Sequence, residues 1–260
     1  MEEDMADIIV SVIIPVFNGK KYIEDAIRSV FKQAVKTEII VIDDASSDGT
    51  EIILHPYIIT NKIIYIRNDK NLGVAYSRNK GIQTANGDYI AFLDCDDWWQ
   101  EEKLRKQINL LKDTNVPFCY TGRELFNEQA SSLRQFIRAP LKVTYNELLY
   151  TNVIACSSVV IRREIALEFP MVHDELHEDY IMWLLVLKKY GFAVGINEPL
   201  LKTRLTKSGK SRNKLKTFYM TFGVYRYVGI NRFISIYYTI NHVIRSGLRY
   251  LKGKVMNGSY

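Results

Sequence analysis

The chain has 260 residues, 47% of them hydrophobic and 25% charged, the composition of a soluble globule long enough to bury a core without disulfides. Collagen-like, coiled-coil and disordered readings are excluded, and no run of about 18 apolar residues marks a membrane-spanning helix. The net charge of +6 is unevenly spread: residues 199–260 hold 13 Lys and Arg and no acid, leaving 22 basic and 29 acidic residues in 1–198, a net of −7.

An acidic body with a basic tail points to a polyanion as partner, whether a membrane surface, a nucleic acid or a phosphorylated substrate. Met1-Glu2-Glu3-Asp4 is acidic where a signal peptide is basic, which predicts a chain that is not exported. Cys95, Cys119 and Cys156 are odd in number and show no CxxC spacing, which predicts free thiols in a reducing cytoplasm.

Ile8–Ile14 is a continuous β-branched run, predicting a strand buried on both faces and ended by Pro15. A helix is predicted over Lys20–Gln33, with Tyr22, Ile23, Ala26, Ile27, Val30 and Phe31 forming one apolar stripe. Glu38–Ile42 reads as a strand, and Ser46–Thr50 supplies turn and N-cap residues for the next helix, Asp48 among them. Strands are predicted at Lys62–Ile66, Tyr89–Leu93 and Phe118–Tyr120, with helices at Asn71–Thr84 and Glu101–Lys112 between them. Gly122–Arg138 reads as a polar, irregular excursion. A strand at Ala155–Ile161, helices at Arg163–Phe169 and His177–Tyr190, and a last strand at Phe192–Ile196 complete the body.

Repeated βα units with short connections imply a mostly parallel sheet covered on both faces. Ligands bind such sheets beyond the carboxyl ends of the strands. The residues to inspect are therefore Pro15–Asn18, Asp43-Asp44, Arg67–Asn71 and Asp94–Asp97. In Leu93-Asp94-Cys95-Asp96-Asp97, three carboxylates crowd the end of a buried strand with no counter-charge nearby in sequence. A hard divalent cation would relieve that repulsion, and a solvated turn with helix-capping acids is the alternative. Asp43-Asp44 repeats the arrangement one strand earlier, suited either to ribose hydroxyls and a base edge or to helix capping.

Four blocks, in order, carry a resemblance. Val12-Ile13-Ile14-Pro15-Val16-Phe17-Asn18, Val41–Thr50 with its Asp43-Asp44, Asn71–Asn79 and Gly87–Asp97 are similar to those of family 2 glycosyltransferases, over roughly residues 8–205. The resemblance implies a GT-A fold, a nucleotide-sugar donor, a divalent metal (Mn²⁺ or Mg²⁺) and inversion at the anomeric carbon. It implies that Pro15 and Phe17 line the nucleobase pocket, that Asp44 binds the base, usually uracil, and that Arg78 faces the nucleotide. Asp94 and Asp96 match the DxD pair, the first toward the ribose and the second on the metal, with Asp97 assisting. His177-Glu178-Asp179-Tyr180 resembles the later ED motif and makes Asp179 the candidate catalytic base. From the residues alone, Glu178 and Asp179 read as acids complementing a helix dipole.

Direct displacement at C1 needs a base for the acceptor hydroxyl and stabilisation of the departing diphosphate. Arg204 and Lys210 lie where the family often has a loop closing over the donor, although a solvated basic loop is the simpler expectation. No Q-x-x-R-W block is present, which speaks for single-sugar transfer rather than processive synthesis. Gly209-Lys210-Ser211 lacks the glycine and the preceding strand of a phosphate-binding loop, and the four histidines lack zinc spacing.

The tail interleaves Phe218, Tyr219, Phe222, Tyr225, Tyr227, Phe233, Tyr237, Tyr238 and Tyr250 with Arg226, Arg232, Arg245, Arg249, Lys252 and Lys254. Aromatics among cations with no acid predict helices in an anionic membrane interface, with a helical cap on the core as the alternative. No nucleic-acid module is recognisable, so nucleic acid is not expected as a partner. The expectation is an α/β GT-A domain over 1–215, a Rossmann-like mostly parallel sheet with helices on both faces, and a basic helical extension over 216–260. The family context implies transfer of one sugar from a UDP-sugar to a lipid-diphosphate-linked saccharide for O-antigen or capsule, by a peripheral protein of the cytoplasmic face of the inner membrane. A polyprenyl-phosphate sugar synthase and a non-catalytic binding module are the alternatives.

Overall fold

The computed structural model describes residues 9–206 and 214–255. Strand β1 (Ile9–Val16) lies between β2 (Lys36–Asp43) and β4 (Tyr89–Phe92), both parallel to it, and β3 (Ile64–Arg67) continues the parallel array outside β2. On the other side β9 (Val160–Arg162) runs antiparallel between β4 and β6 (Phe118–Phe126), and β6 pairs in parallel with β10 (Phe192–Arg204). Short strands β5 (Trp98–Trp99), β7 (Ser132–Ile137) and β8 (Lys142–Thr144) add antiparallel partners to β10, β6 and β10. The six strands β1–β4, β6 and β10 all point one way, so the sheet is mostly parallel, as expected.

Alternation along β1 sorts two cores. Val10, Val12 and Ile14 face α1 (Ile23–Phe31), α2 (Thr50–Ile59) and α4 (Lys103–Lys112). Ile13 faces the other layer, built by α3 (Val74–Thr84), α5 (Tyr145–Tyr150), α6 (Arg163–Glu168), α7 (Glu178–Tyr190) and α8 (Lys214–Tyr227). A strand buried on both faces has no polar side to show, which is why its sequence is a continuous apolar run. Trp183 of α7 is the largest fully buried side chain and packs on Phe92 and Phe118 of the sheet.

Several elements differ from expectation for identifiable reasons. β1 runs through Pro15 instead of ending there, because its ladder with β4 stops at Ile13–Phe92. The Ile13 carbonyl accepts from Leu93 on the β4 side. Pro15 faces that same side two residues later, where no strand remains to be deprived of a donor. The polar excursion after Gly122 is a hairpin: β6 continues to Phe126 and returns as β7. The 155–161 stretch splits into a 3-10 turn at Cys156–Ser158 and the three-residue β9. β10 continues past Ile196 to Arg204, with a register shift between Ile196 and Leu201 that takes up Pro199. Helix α5 is absent from the sequence reading, although its capping box is a local signal for it: Thr144 accepts from the Glu147 amide, and the Glu147 carboxylate accepts from the Thr144 amide.

The tail forms α8 and α9 (Arg232–Val255). Met220, Thr221, Val224, Tyr225 and Val228 are buried, so α8 belongs to the core layer that also contains α7. The Tyr225 hydroxyl donates to the Leu149 carbonyl at 2.6 Å and lies 3.1 Å from the Tyr180 hydroxyl. The boundary expected between 215 and 216 thus falls within the first turn of α8. No helix among the described residues is long and apolar enough to cross a membrane.

Candidate active site

The acids of the second and fourth strands emerge at the same edge of the sheet. At the end of β2, Asp43 is fully buried and accepts from the Tyr65 hydroxyl (2.7 Å), the Arg67 guanidinium (2.8 Å) and the Ser46 amide (2.8 Å). Burial, reinforced by the Asp43 charge, pushes the Tyr65 hydroxyl up to about 12. Asp44 is only 4% exposed. Its carboxylate gathers the Asn68 side-chain amide (2.8 Å) and the backbone amides of Leu72 (2.9 Å) and Gly73 (2.8 Å), shaping the loop that enters α3. Phe17, just past β1, is half exposed, whereas Pro15 is buried in the strand.

Gly73 has φ +91, and a Cβ there would stand 1.3 Å from Asp174 Oδ2, so backbone and neighbour both demand glycine. Asp174 reaches in to accept from the Ala75 amide at 2.8 Å. Asn79 and Met171 exchange two further hydrogen bonds, at 2.6 and 2.9 Å. The segment that leads into α7 is therefore strapped to α3, and the sequence carries no local signal for that strap beyond the isolated Gly73.

Between them sits Arg78, 4% exposed on α3. Its guanidinium donates to Asp94 at 2.6 Å and to Glu178 at 2.8 Å, joining the DxD segment to the start of α7. The sequence shows the three acids of 94–97 without a counter-charge; the fold brings one from each side of the chain, Arg78 and Arg204. Arg78 is a bridge between acids rather than an open cation, and its Nε has no partner among the described residues.

Arg204 departs from the expectation of a solvated basic loop. It is not in a solvated loop but is the buried last residue of β10, with its guanidinium 4.6 Å from the Tyr22 ring and 4.7 Å from the Trp98 ring. It donates to Asp25 (2.8 Å) and to the carbonyls of Asp96 (3.2 Å) and Glu128 (3.1 Å), and its amide donates to Asp97 (3.1 Å). Aromatic walls on both sides favour a planar cation over a hydrated one. Lys210 lies outside the described residues.

The acid segment rests on the 3-10 turn: the Asp94 amide donates to the Ser157 hydroxyl at 3.1 Å, and the Trp99 indole donates to the Ser157 carbonyl at 2.8 Å. Asp97 is buried, and burial with the charges of Asp96 and Asp94 raises it well above the usual carboxylate range. Asp96 is half-buried and pushed up to about 6 by burial and by Asp94. Among the described residues its Oδ2 has one long contact, from the Thr206 hydroxyl at 3.5 Å.

Asp179, in the first turn of α7, is raised to about 7 by burial and by Glu178, with Arg78 pulling the other way. One oxygen accepts from the Tyr180 amide at 2.8 Å. A carboxyl poised there has the basicity of a general base working near neutrality.

Among the described residues no three His, Cys, Asp or Glu side chains form a metal cage. What is present is the partial set that a hard cation needs when phosphates complete its shell: Asp94 and Asp96, mutually repelling, with one oxygen of Asp96 holding a single long contact among the described residues. The donor set fits Mg²⁺ or Mn²⁺ and does not fit a soft metal.

Residues 11–168 match the model of glycosyl transferase family 2. The putative teichuronic acid biosynthesis glycosyltransferase TuaG of Bacillus subtilis (strain 168) is 39% identical over 220 residues, 84% of this chain and 87% of that protein. The UDP-Glc:alpha-D-GlcNAc-diphosphoundecaprenol beta-1,3-glucosyltransferase WfgD of Escherichia coli is 36% identical over 244 residues, 92% and 94% of the two chains. Among solved structures, S. aureus TarS 1-349 in complex with UDP-GlcNAc superposes with a TM-score of 0.69 at 16% identity, over 96% of this chain and 74% of that one. The mannosyltransferase PcManGT from Pyrobaculum calidifontis, in complex with GDP-Man and Mn²⁺, gives 0.68 at 16% identity over 96% and 76%. The two structural likenesses establish the GT-A fold; the family match over more than half the chain and relatives this similar along nearly their whole length establish that the chain belongs to glycosyl transferase family 2 and is a glycosyltransferase.

Proposed function

We propose that the enzyme moves one sugar, with inversion, from a UDP-sugar to a hydroxyl of a lipid-diphosphate-linked saccharide in the synthesis of a surface polysaccharide such as O-antigen or capsule, working at the cytoplasmic face of the inner membrane. The observation that supports the reading is the Arg78 bridge, in which one guanidinium holds both Asp94 of the DxD segment and Glu178, the neighbour of Asp179. WfgD, named for a UDP-glucose donor and a diphosphoundecaprenol-linked acceptor and similar along nearly its whole length, supports the choice of substrates.

In this reading Asp44 and the loop it organises, with Phe17 and Pro15, form the base end of the donor site. Asp94, held by Arg78, meets the ribose. Asp96 and Asp94 would hold Mn²⁺ or Mg²⁺, which supplies Lewis-acid neutralisation of the diphosphate as negative charge gathers there. Asp179 accepts the proton of the acceptor hydroxyl while the oxygen attacks C1. The C1–O bond to the diphosphate breaks, and UDP leaves with the electron pair. The Glu178 charge, paired with Arg78, keeps Asp179 basic. The catalytic unit is proposed as residues 1–215, with 216–260 as the extension, although α8 shares the core.

Titration of UDP and GDP by calorimetry, with Mn²⁺ and with chelator, tests the donor side. Metal-dependent UDP binding that is lost in Asp96→Ala is the expected result. An acceptor assay tests the base: Asp179→Asn lowers kcat by about 10²–10⁴-fold with UDP binding intact. An unchanged kcat would remove Asp179 from the mechanism and point to a phosphate acceptor that needs no base.

A further inference from the structure

Helix α9 is amphipathic, but its apolar side faces away from the protein. The inward side is mostly polar, with Tyr238 as its aromatic contact to Tyr150 and Tyr225. Ser235 and Thr239 are fully buried, Ser246 lies 3.2 Å from the Thr151 hydroxyl, and Arg249 donates to the Thr151 hydroxyl at 2.5 Å and the Asn152 carbonyl at 2.8 Å. At about 100° per residue, Phe233, Tyr237, Ile240, Ile244 and Leu248 fall on one strip along the opposite side. They are 84%, 53%, 47%, 55% and 50% exposed, and Val243 borders them at 46%. Helices that finish a core turn such a strip inward. A continuous apolar strip held in water by polar contacts on its back is the signature of an interaction surface.

Charge selects the occupant. Residues 199–260 contain no acid, and Arg232 and Arg245 lie on α9 itself, the latter with its guanidinium 4.6 Å over the Tyr150 ring. A second copy of this helix would bring like charges together, whereas a layer of anionic headgroups neutralises them and its acyl boundary receives the strip. We propose that α9 lies in the headgroup region of an anionic lipid bilayer, apolar strip downward, and docks the catalytic domain there. α9 packs on α8 and α8 on α7, so the docked helix is continuous with the helix that begins at Glu178-Asp179. The inference rests on the exposed strip and the charge, and it stands whichever acceptor the enzyme uses.

The test is co-sedimentation of the full chain with vesicles of equimolar phosphatidylglycerol and phosphatidylcholine, and with vesicles of phosphatidylcholine alone. Wild type is compared with the triple variant Phe233→Ser/Ile240→Ser/Ile244→Ser. These side chains are exposed, and far-ultraviolet circular dichroism together with calorimetric UDP binding reports whether fold and donor site survive the change. The expected result is binding of wild type to the anionic vesicles, partly weakened by salt, and a loss of about tenfold or more in the folded triple variant. Wild type that remains in the supernatant with both vesicles would overturn the proposal, as would a triple variant that sediments like wild type. A strip that serves a second copy would show itself as a dimer in light scattering, converted to monomer by the triple variant with no change in vesicle binding, and that too would overturn it.

Discussion

Arg78 and Glu178 lie a hundred residues apart in sequence and pair at 2.8 Å, with side chains 5% and 8% exposed. The same guanidinium holds Asp94 at 2.6 Å. One buried cation thus sets the spacing between the segment proposed to carry donor and metal and the segment proposed to carry the base. A lysine could not span both carboxylates, because the bridge uses two nitrogens of one planar fork.

Removing that cation leaves two carboxylates facing each other with one of them buried. Arg78→Met is expected to lower the unfolding free energy by about 3–5 kcal/mol, and the double variant Arg78→Met/Glu178→Gln to recover a substantial part, because the second change removes the charge the first orphaned. Denaturant unfolding of the wild type, both single variants and the double variant reads the coupling directly. Additive effects would show that the pair is not an energetic unit.

The proposed role of Asp179 as base predicts the pH dependence of kcat/KM. Its carboxyl titrates at about 7, raised first by burial and then by Glu178, and it must be ionised to accept a proton. The rate is therefore expected to rise with pH through a limb centred near neutrality. In Glu178→Gln the like charge is gone while burial and Arg78 remain, so the limb moves to lower pH. A limb in the same place in both proteins would mean that another group controls it.

Lys103 is fully buried on α4, with its ammonium 4.0 Å from the Trp99 ring centre and no hydrogen-bond partner among the described residues. Burial brings it down to about 7. The unfolded chain holds that proton more tightly than the folded one, so stability contributed at this site rises as pH increases from about 7 to 10. Lys103→Met is expected to stabilise the protein by about 1–3 kcal/mol at neutral pH and to flatten that rise. Melting curves at several pH values check both, and a destabilised variant would reveal a partner for the ammonium.

The sequence by itself determined the layers and the strand ends from which the candidate site is drawn. Two-sided burial writes β1 and β2 as continuous apolar runs, and helical spacing writes α1 and α7, because those patterns come from periodicities of the backbone. Acids at strand ends follow from the same logic, so Asp43, Asp44 and Asp94–Asp97 were legible before any coordinates. Short elements were not: β5 has two residues and β9 three, too few for a period, and Pro199 hid the continuation of β10, which a register shift accommodates. The tertiary structure alone decided who neutralises whom. Arg78 on Asp94 and Glu178, Arg204 beneath Asp96 and Asp97, Asp174 on the mouth of α3, and the outward turn of the apolar face of α9 are all pairings across long stretches of chain. Sequence spacing holds no trace of them, because the partners become neighbours only when parallel strands and their helices stack.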